Sequence, residues 1–317
     1  MKRLIWGALA ALFFFLDAAA YEFPKPTLSV RLYPEGQSVD KGVVEGGRAV
    51  TLGPAESNGL TGEVTDRGGH RFGNIGDQAW IEIFLPKQCN GQMIVVCPGG
   101  GYSYCSYEGE GALAADWCLQ RGIAVCVVLY RMPNGHAIVP VTDVQNAFRY
   151  CRAHAAEWGV KQIGVMGFSA GGHLAASAST LFVDELTRPD FSVLVYPVIT
   201  LEEFTTHAGT RSNLLGQRVF RQSVDAWSLD TRVTPQTPPA FLVCSADDRA
   251  VPPENSIRYF QAMQRCGVSG ELHVLTSGGH GWGFGTVETV GRDALGDQRA
   301  VFSQALERWL TARLPKQ

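Results

Sequence analysis

The chain carries little charge for its size. Asp, Glu, Lys and Arg make up 18% of its 317 residues, and the formal net charge is −3. Without a basic excess it offers no face for a nucleic acid. It has no block of like charge, no low-complexity tract and no internal repeat, so neither a solenoid nor a disordered tail organises it. Eight cysteines are present, but no CxxC pair and no Cys/His spacing suited to zinc. The N-terminal apolar run, Leu4–Leu16, falls short of the roughly 20 residues that span a bilayer.

That short run is informative. Lys2 and Arg3 precede it and Ala18-Ala19-Ala20 follow it, the pattern of a secretory signal peptide over residues 1–20. The expectation is a secreted or periplasmic protein with no stable membrane association after cleavage before Tyr21. An exported chain can pair its cysteines. However, Cys97, Cys126 and Cys244 fall in apolar runs and Cys118 and Cys151 in helical patterns, so mostly free, buried thiols are expected. Residues 21–77 form a Gly-rich segment. Eleven glycines lie between 35 and 76, which predicts loops with hairpins.

From residue 78 to 317 the texture is that of a single α/β domain. Apolar runs at Ala79–Leu85, Met93–Cys97, Ile123–Leu129, Ile163–Phe168, Phe191–Tyr196, Ala240–Cys244 and Leu272–Leu275 read as strands covered on both faces. Helical periodicity separates them, which predicts a mostly parallel sheet with helices on both sides. The clearest helix spans 141–158 and stops at Gly159; another spans 300–314. Residues 199–238 lack a strand pattern and are expected to form an insertion over the sheet edge.

Gly167-Phe168-Ser169-Ala170-Gly171 follows one of these strands and opens a helix. This is G-x-S-x-G in the strand–turn–helix setting that exposes a serine hydroxyl. A serine needs a base, and the order Ser…Asp/Glu…His places that base late. Of seven histidines, His280 follows a strand inside Gly278-Gly279-His280-Gly281, where glycines let a loop approach the serine. The acid is expected after Ala240–Ala246, where Asp247 and Asp248 both qualify. An oxyanion needs donors. Pro98-Gly99-Gly100-Gly101-Tyr102 supplies backbone N–H groups at Gly100 or Gly101, to act with that of Ala170. The same loop lacks the Lys and Ser/Thr of a phosphate-binding loop. Tyr102, Tyr104, Tyr107, Trp282 and Phe284 gather in these loops, and Tyr102 and Trp282 are the candidates for substrate contact. No metal or organic cofactor is required.

Together with PGGGY (98–102), GVMGFSAGGHLAA (164–176) and GGHGWG (278–283), the motifs YEGEGALAADWC (107–118), LYRMP (129–133), RPDFSVLVYPVIT (188–200) and ADDRAVPPENS (246–256) carry a family likeness. The chain resembles the acetyl-xylan/feruloyl esterase-like branch of the α/β-hydrolases over about residues 78–315. The resemblance implies Ser169 as nucleophile, His280 as base and Asp248, the D of D-x-x-V-P, as acid. It also implies a carboxylic-ester hydrolase that removes acetyl groups from polysaccharide or oligosaccharide. Feruloyl or other small esters are the alternative. A serine peptidase of the same fold is a further alternative, and a non-catalytic relative would not need the full Ser/Asp/His set.

Overall fold

The computed structural model describes residues 21–33, 44–45, 48–49, 62–66, 69–73, 79–290 and 293–315. The expected signal peptide lies outside the described residues, as does most of the 35–76 segment. Eight strands form one sheet: β1 Leu28–Arg31, β2 Trp80–Phe84, β3 Gln92–Cys97, β4 Ala124–Leu129, β5 Gln162–Phe168, β6 Ser192–Val195, β7 Ala240–Ser245 and β8 Gly270–Leu275. Their order is β1-β2-β4-β3-β5-β6-β7-β8. β1 and β2 run antiparallel to their neighbours, and every pairing from β4 to β8 is parallel. A separate hairpin, Gly62–Asp66 with Gly69–Gly73, pairs with Tyr104–Ser106.

Among the described residues, eight α-helices accompany the sheet: α1 Leu113–Leu119, α2 Ile138–His154, α3 Ser169–Thr180, α4 Ala208–Leu215, α5 Arg221–Trp227, α6 Glu254–Arg265, α7 Val287–Val290 and α8 Gln298–Thr311. Because side chains alternate along a strand, the sheet feeds two cores. Met93, Val95 and Cys97 pack with Val144 and Phe148 of α2, Leu174 of α3 and Tyr259 of α6. Their neighbours Ile94 and Val96 pack with Leu113 and Cys118 of α1 and with Phe302, Leu306 and Trp309 of α8. Apolar residues on both strand faces are therefore what the continuous runs in the sequence record.

Pro140 sits in the first turn of α2, where its missing N–H leaves no helical bond unmade. The regular helix ends at His154. Gly159, at φ +68°, then closes the chain, with Val160 N–H reaching the Ala155 carbonyl at 2.8 Å. All eight cysteines are unpaired, and six are buried. Burial pushes the Cys118 thiol up to about 12 and the Cys244 thiol up to about 11, which makes them packing groups rather than reactive ones.

The domain reaches further towards the N-terminus than residue 78. β1 completes the sheet at its edge. Just beyond it, Tyr33 donates to Asp143 at 2.5 Å, and Asp143 in turn pairs with the buried Arg131 at 2.6 Å. Residues 199–238 also differ from expectation. They form α4, α5 and a short 3-10 turn, Leu229–Thr231, and α4 sits against the loop after β3 rather than over a sheet edge: the Asn213 side-chain amide donates to the Gly101 carbonyl at 2.9 Å and to Ser103 Oγ at 2.7 Å.

Candidate active site

β5 delivers Ser169 to the C-terminal end of the sheet, and α3 starts at that residue. Ser169 holds φ at +54°, a left-handed backbone that a non-glycine residue adopts under strain. The turn is this tight because α3 packs directly on the end of β3. A Cβ on Gly171 would lie 2.1 Å from the Cys97 carbonyl oxygen and 2.3 Å from that of Pro98. Only glycine allows that approach.

The loops after β7 and β8 bring the partners. His280 Nε2 lies 2.8 Å from Ser169 Oγ, and His280 Nδ1 lies 2.7 Å from Asp248 Oδ2. With a carboxylate at Nδ1, the neutral ring carries its proton there and Nε2 accepts from the hydroxyl. Asp248 is buried. Its second oxygen accepts the N–H groups of Ala250 and Val251, each at 2.9 Å, so the carboxylate is fixed in place. Asp247 points elsewhere and accepts the Gly279 N–H at 2.8 Å. One aspartate thus meets the imidazole, and the other holds the backbone of the loop that carries it.

Ser169 and His280 open into a cleft of about 410 Å³, lined also by Gly100, Gly101, Tyr104, Glu110, His207, Asn213 and Trp282. Gly100 stands at φ +128°, and a Cβ there would lie 2.0 Å from the Tyr104 carbonyl oxygen. The loop turns back on itself through the Ser103 N–H, which donates to the Gly100 carbonyl at 2.9 Å. Ala170 lies at the start of α3, where backbone N–H groups have no helical acceptor.

Of the two aromatic candidates, Trp282 lines the cleft, yet it is nearly buried and donates to Ser245 Oγ at 3.0 Å. Tyr102 does not line it. Its side chain is buried under the loop, with its hydroxyl 3.0 Å from His173 Nδ1 and its ring against Tyr130. His173 donates through Nε2 to the Trp227 carbonyl at 2.9 Å, so Nδ1 is left to accept from Tyr102. Burial lowers the His173 pKa to about 4 and keeps the ring neutral. Tyr102 is therefore a support for the loop, and Phe284 is likewise buried.

Glu110 and His207 are among the cleft residues that the sequence does not single out. Glu110 is buried and accepts the Gly99 N–H and the Tyr196 hydroxyl, both at 2.7 Å. The Tyr196 oxygen accepts the Gly283 N–H at 2.9 Å, so one carboxylate links the Gly99–Gly101 loop to the loop bearing His280. Tyr196 also packs against the His280 ring, with centroids 4.8 Å apart. His207 caps α4, its Nδ1 accepting the Thr210 N–H at 3.1 Å. Burial, and secondarily the nearby His280, lower its pKa, against an opposing pull from Asp248. Among the described residues, no group of three or more His, Cys, Asp or Glu is placed to hold a metal ion.

A mostly parallel, helix-covered sheet with a serine on its strand-to-helix turn, and with an aspartate and a histidine supplied after later strands, defines an α/β-hydrolase. Within that fold the chain belongs to the BD-FAE family, whose model matches residues 81–263. That stretch includes Ser169 and Asp248; His280 lies beyond it. An acetylxylan esterase of Xylanibacter ruminicola is 42% identical over 221 residues, covering 67% of this chain and 46% of the relative. Endo-1,4-beta-xylanase B of Butyrivibrio fibrisolvens is 33% identical over 205 residues, covering 59% of this chain and 32% of that protein. The chain thus spans less than half the length of either. Among solved structures, an acetyl ester-xyloside bifunctional hydrolase from Caldicellulosiruptor lactoaceticus is similar at TM-score 0.65 and 31% identity, covering 74% of this chain and 88% of the other. A carboxylesterase from Lactobacillus plantarum WCFS1 also gives TM-score 0.65, at 26% identity, covering 78% of this chain and 98% of that one.

Proposed function

We propose that the chain is a serine esterase that removes acetyl groups from polysaccharide or oligosaccharide, and that it is exported to do so. The observation that carries the reading is the hydrogen-bonded line from Asp248 through His280 to Ser169 at the floor of an open cleft. Relatives described as an acetylxylan esterase and an acetyl ester-xyloside hydrolase support the choice of substrate. The signal-like N-terminus supports export.

The geometry supports the following chemistry. Ser169 Oγ attacks the acyl carbon as its proton passes to His280 Nε2, and Asp248 stabilises the resulting imidazolium. The carbonyl oxygen becomes an oxyanion and takes hydrogen bonds from the N–H groups of Gly100 or Gly101 and of Ala170. His280 then protonates the departing sugar oxygen as the C–O bond breaks, leaving acetyl-Ser169. Water, deprotonated by His280, attacks that ester, and acetate leaves with Ser169 restored. Ser169→Ala is expected to lower acetate release from acetylated xylan by about 10⁴–10⁶-fold. Undiminished turnover would remove Ser169 from this role, and wild-type protein that cleaves peptides better than acetylated xylan would overturn the substrate class.

A further inference from the structure

His207 has the geometry of a fixed donor. A backbone N–H always donates, so the 3.1 Å contact from Thr210 makes Nδ1 an acceptor. Thr210 Oγ1 approaches the same nitrogen at 2.9 Å. Protonating Nδ1 would set two donors against each other and uncap α4, so the neutral ring carries its hydrogen on Nε2. No hydrogen bond engages Nε2 among the described residues, and the side chain lines the cleft with Ser169 and His280.

The ring's position is set from both ends of α4. Its Cε1 lies 3.6 Å from where a Cβ on Gly101 would stand. One helix length further on, Asn213 ties α4 to the Gly101 carbonyl and to Ser103. The Nε2–H is thus held at the rim of the loop expected to bind the oxyanion. It lines the same cleft as His280, the group that hands a proton to the departing alcohol in the proposed mechanism. Sharing the cleft with His280, the His207 Nε2–H is placed to meet the alcohol half of the ester.

We propose that His207 is a specificity-determining residue whose Nε2–H donates to a hydroxyl oxygen of the alcohol half, the hydroxyl next to the acylated carbon of a sugar. The inference rests on the carbohydrate-ester reading and deepens it. A simple aryl ester has no such oxygen, so the donor favours polyol esters over it.

His207→Asn is the informative variant, because Asn retains an N-cap acceptor for the Thr210 N–H while its shorter side chain withdraws the donor from the cleft. kcat/KM is measured for both proteins on a mono-acetylated xyloside with a free neighbouring hydroxyl, on its deoxy analogue and on 4-nitrophenyl acetate. Thermal melting checks that the variant is folded. Loss of one neutral hydrogen bond corresponds to about two- to tenfold. The ratio of xyloside to aryl-ester kcat/KM is expected to fall by that factor in His207→Asn. The wild-type preference for the xyloside over its deoxy analogue is expected to shrink to match. Ratios equal to wild type, whether both esters slow together or neither does, overturn the inference. Wild-type protein that cleaves the aryl ester but no acetylated xyloside overturns the carbohydrate reading itself, a result visible before any variant is compared.

Discussion

Asp247 and Asp248 are adjacent, identical in chemistry and separated only by where their oxygens point. Asp248 is buried and receives the imidazole and two backbone N–H groups; Asp247 is exposed and receives one N–H from Gly279. Asp248→Asn would place an amide where the ring must donate, favouring the wrong tautomer, and is expected to cut ester turnover by about 10⁴-fold. Asp247→Asn keeps an oxygen that can accept the Gly279 N–H, so its loss is expected to stay within about tenfold, the scale of a single neutral hydrogen bond. Steady-state rates on one acetyl ester rank the two, and the reverse ranking would move the acid to Asp247. The sequence carried Ser169 through its turn and His280 by its order after Ser169 and a candidate acid. It carried Asp248 only through a family resemblance, because register within a loop is not written in local periodicity. Glu110 was illegible for another reason: a carboxylate near a helix start usually reads as a favourable surface charge, and only the approach of Gly99 and Tyr196 makes it a buried link. Tyr102 misled because flanking a glycine loop places a side chain equally well above or beneath it.

At the scale of elements, the decisive contact is that of α3 against the end of β3. With Gly171 set against two carbonyl oxygens, Gly171→Ala has no flexible side chain to push aside and must displace the helix or the strand end. The expected cost is about 1–3 kcal/mol of stability, together with lost activity, since the same carbonyls lead into the Gly99–Gly101 loop. Urea unfolding and ester turnover measured on one preparation check both, and a variant as stable and active as wild type would show that α3 yields without harm. The central parallel strands, β3 to β7, were legible because burial on both faces leaves unbroken apolar runs; β2 and β8, nearer the edges, are only partly buried, yet their apolar runs still mark them. β1 was not legible: four residues at an edge, with Leu28, Ser29 and Arg31 exposed, leave no such run. α4 and α5 are short, and Thr210 and Leu214 are the only buried residues of one and Val224 of the other. Such helices are set by tertiary contacts like that of Asn213 with Gly101 rather than by their own apolar stripe.

At the scale of the whole molecule, His173 ties a buried ionisable group to folding. It is fully buried between Tyr102 and the Trp227 carbonyl, and burial lowers its pKa to about 4. In the unfolded chain an ordinary histidine takes up a proton near pH 6.5. Between those values the unfolded state binds more protons than the folded one, so stability rises with pH across the interval. The contribution is complete above pH 6.5 and is lost as pH falls towards 4, amounting to roughly 3 kcal/mol at 1.36 kcal/mol per unit. His207, also shifted downwards, acts in the same direction. His173→Gln retains an acceptor for Tyr102 and a donor for Trp227 but has no titrating group. Its stability relative to wild type is therefore expected to improve by roughly 2 kcal/mol between pH 7 and pH 4.5, read from urea midpoints at each pH. Parallel curves for the two proteins would show that acid sensitivity arises elsewhere. The pH-dependent gain expected here would show that protonating the His173 ring, beside the Ser169 turn, opposes folding.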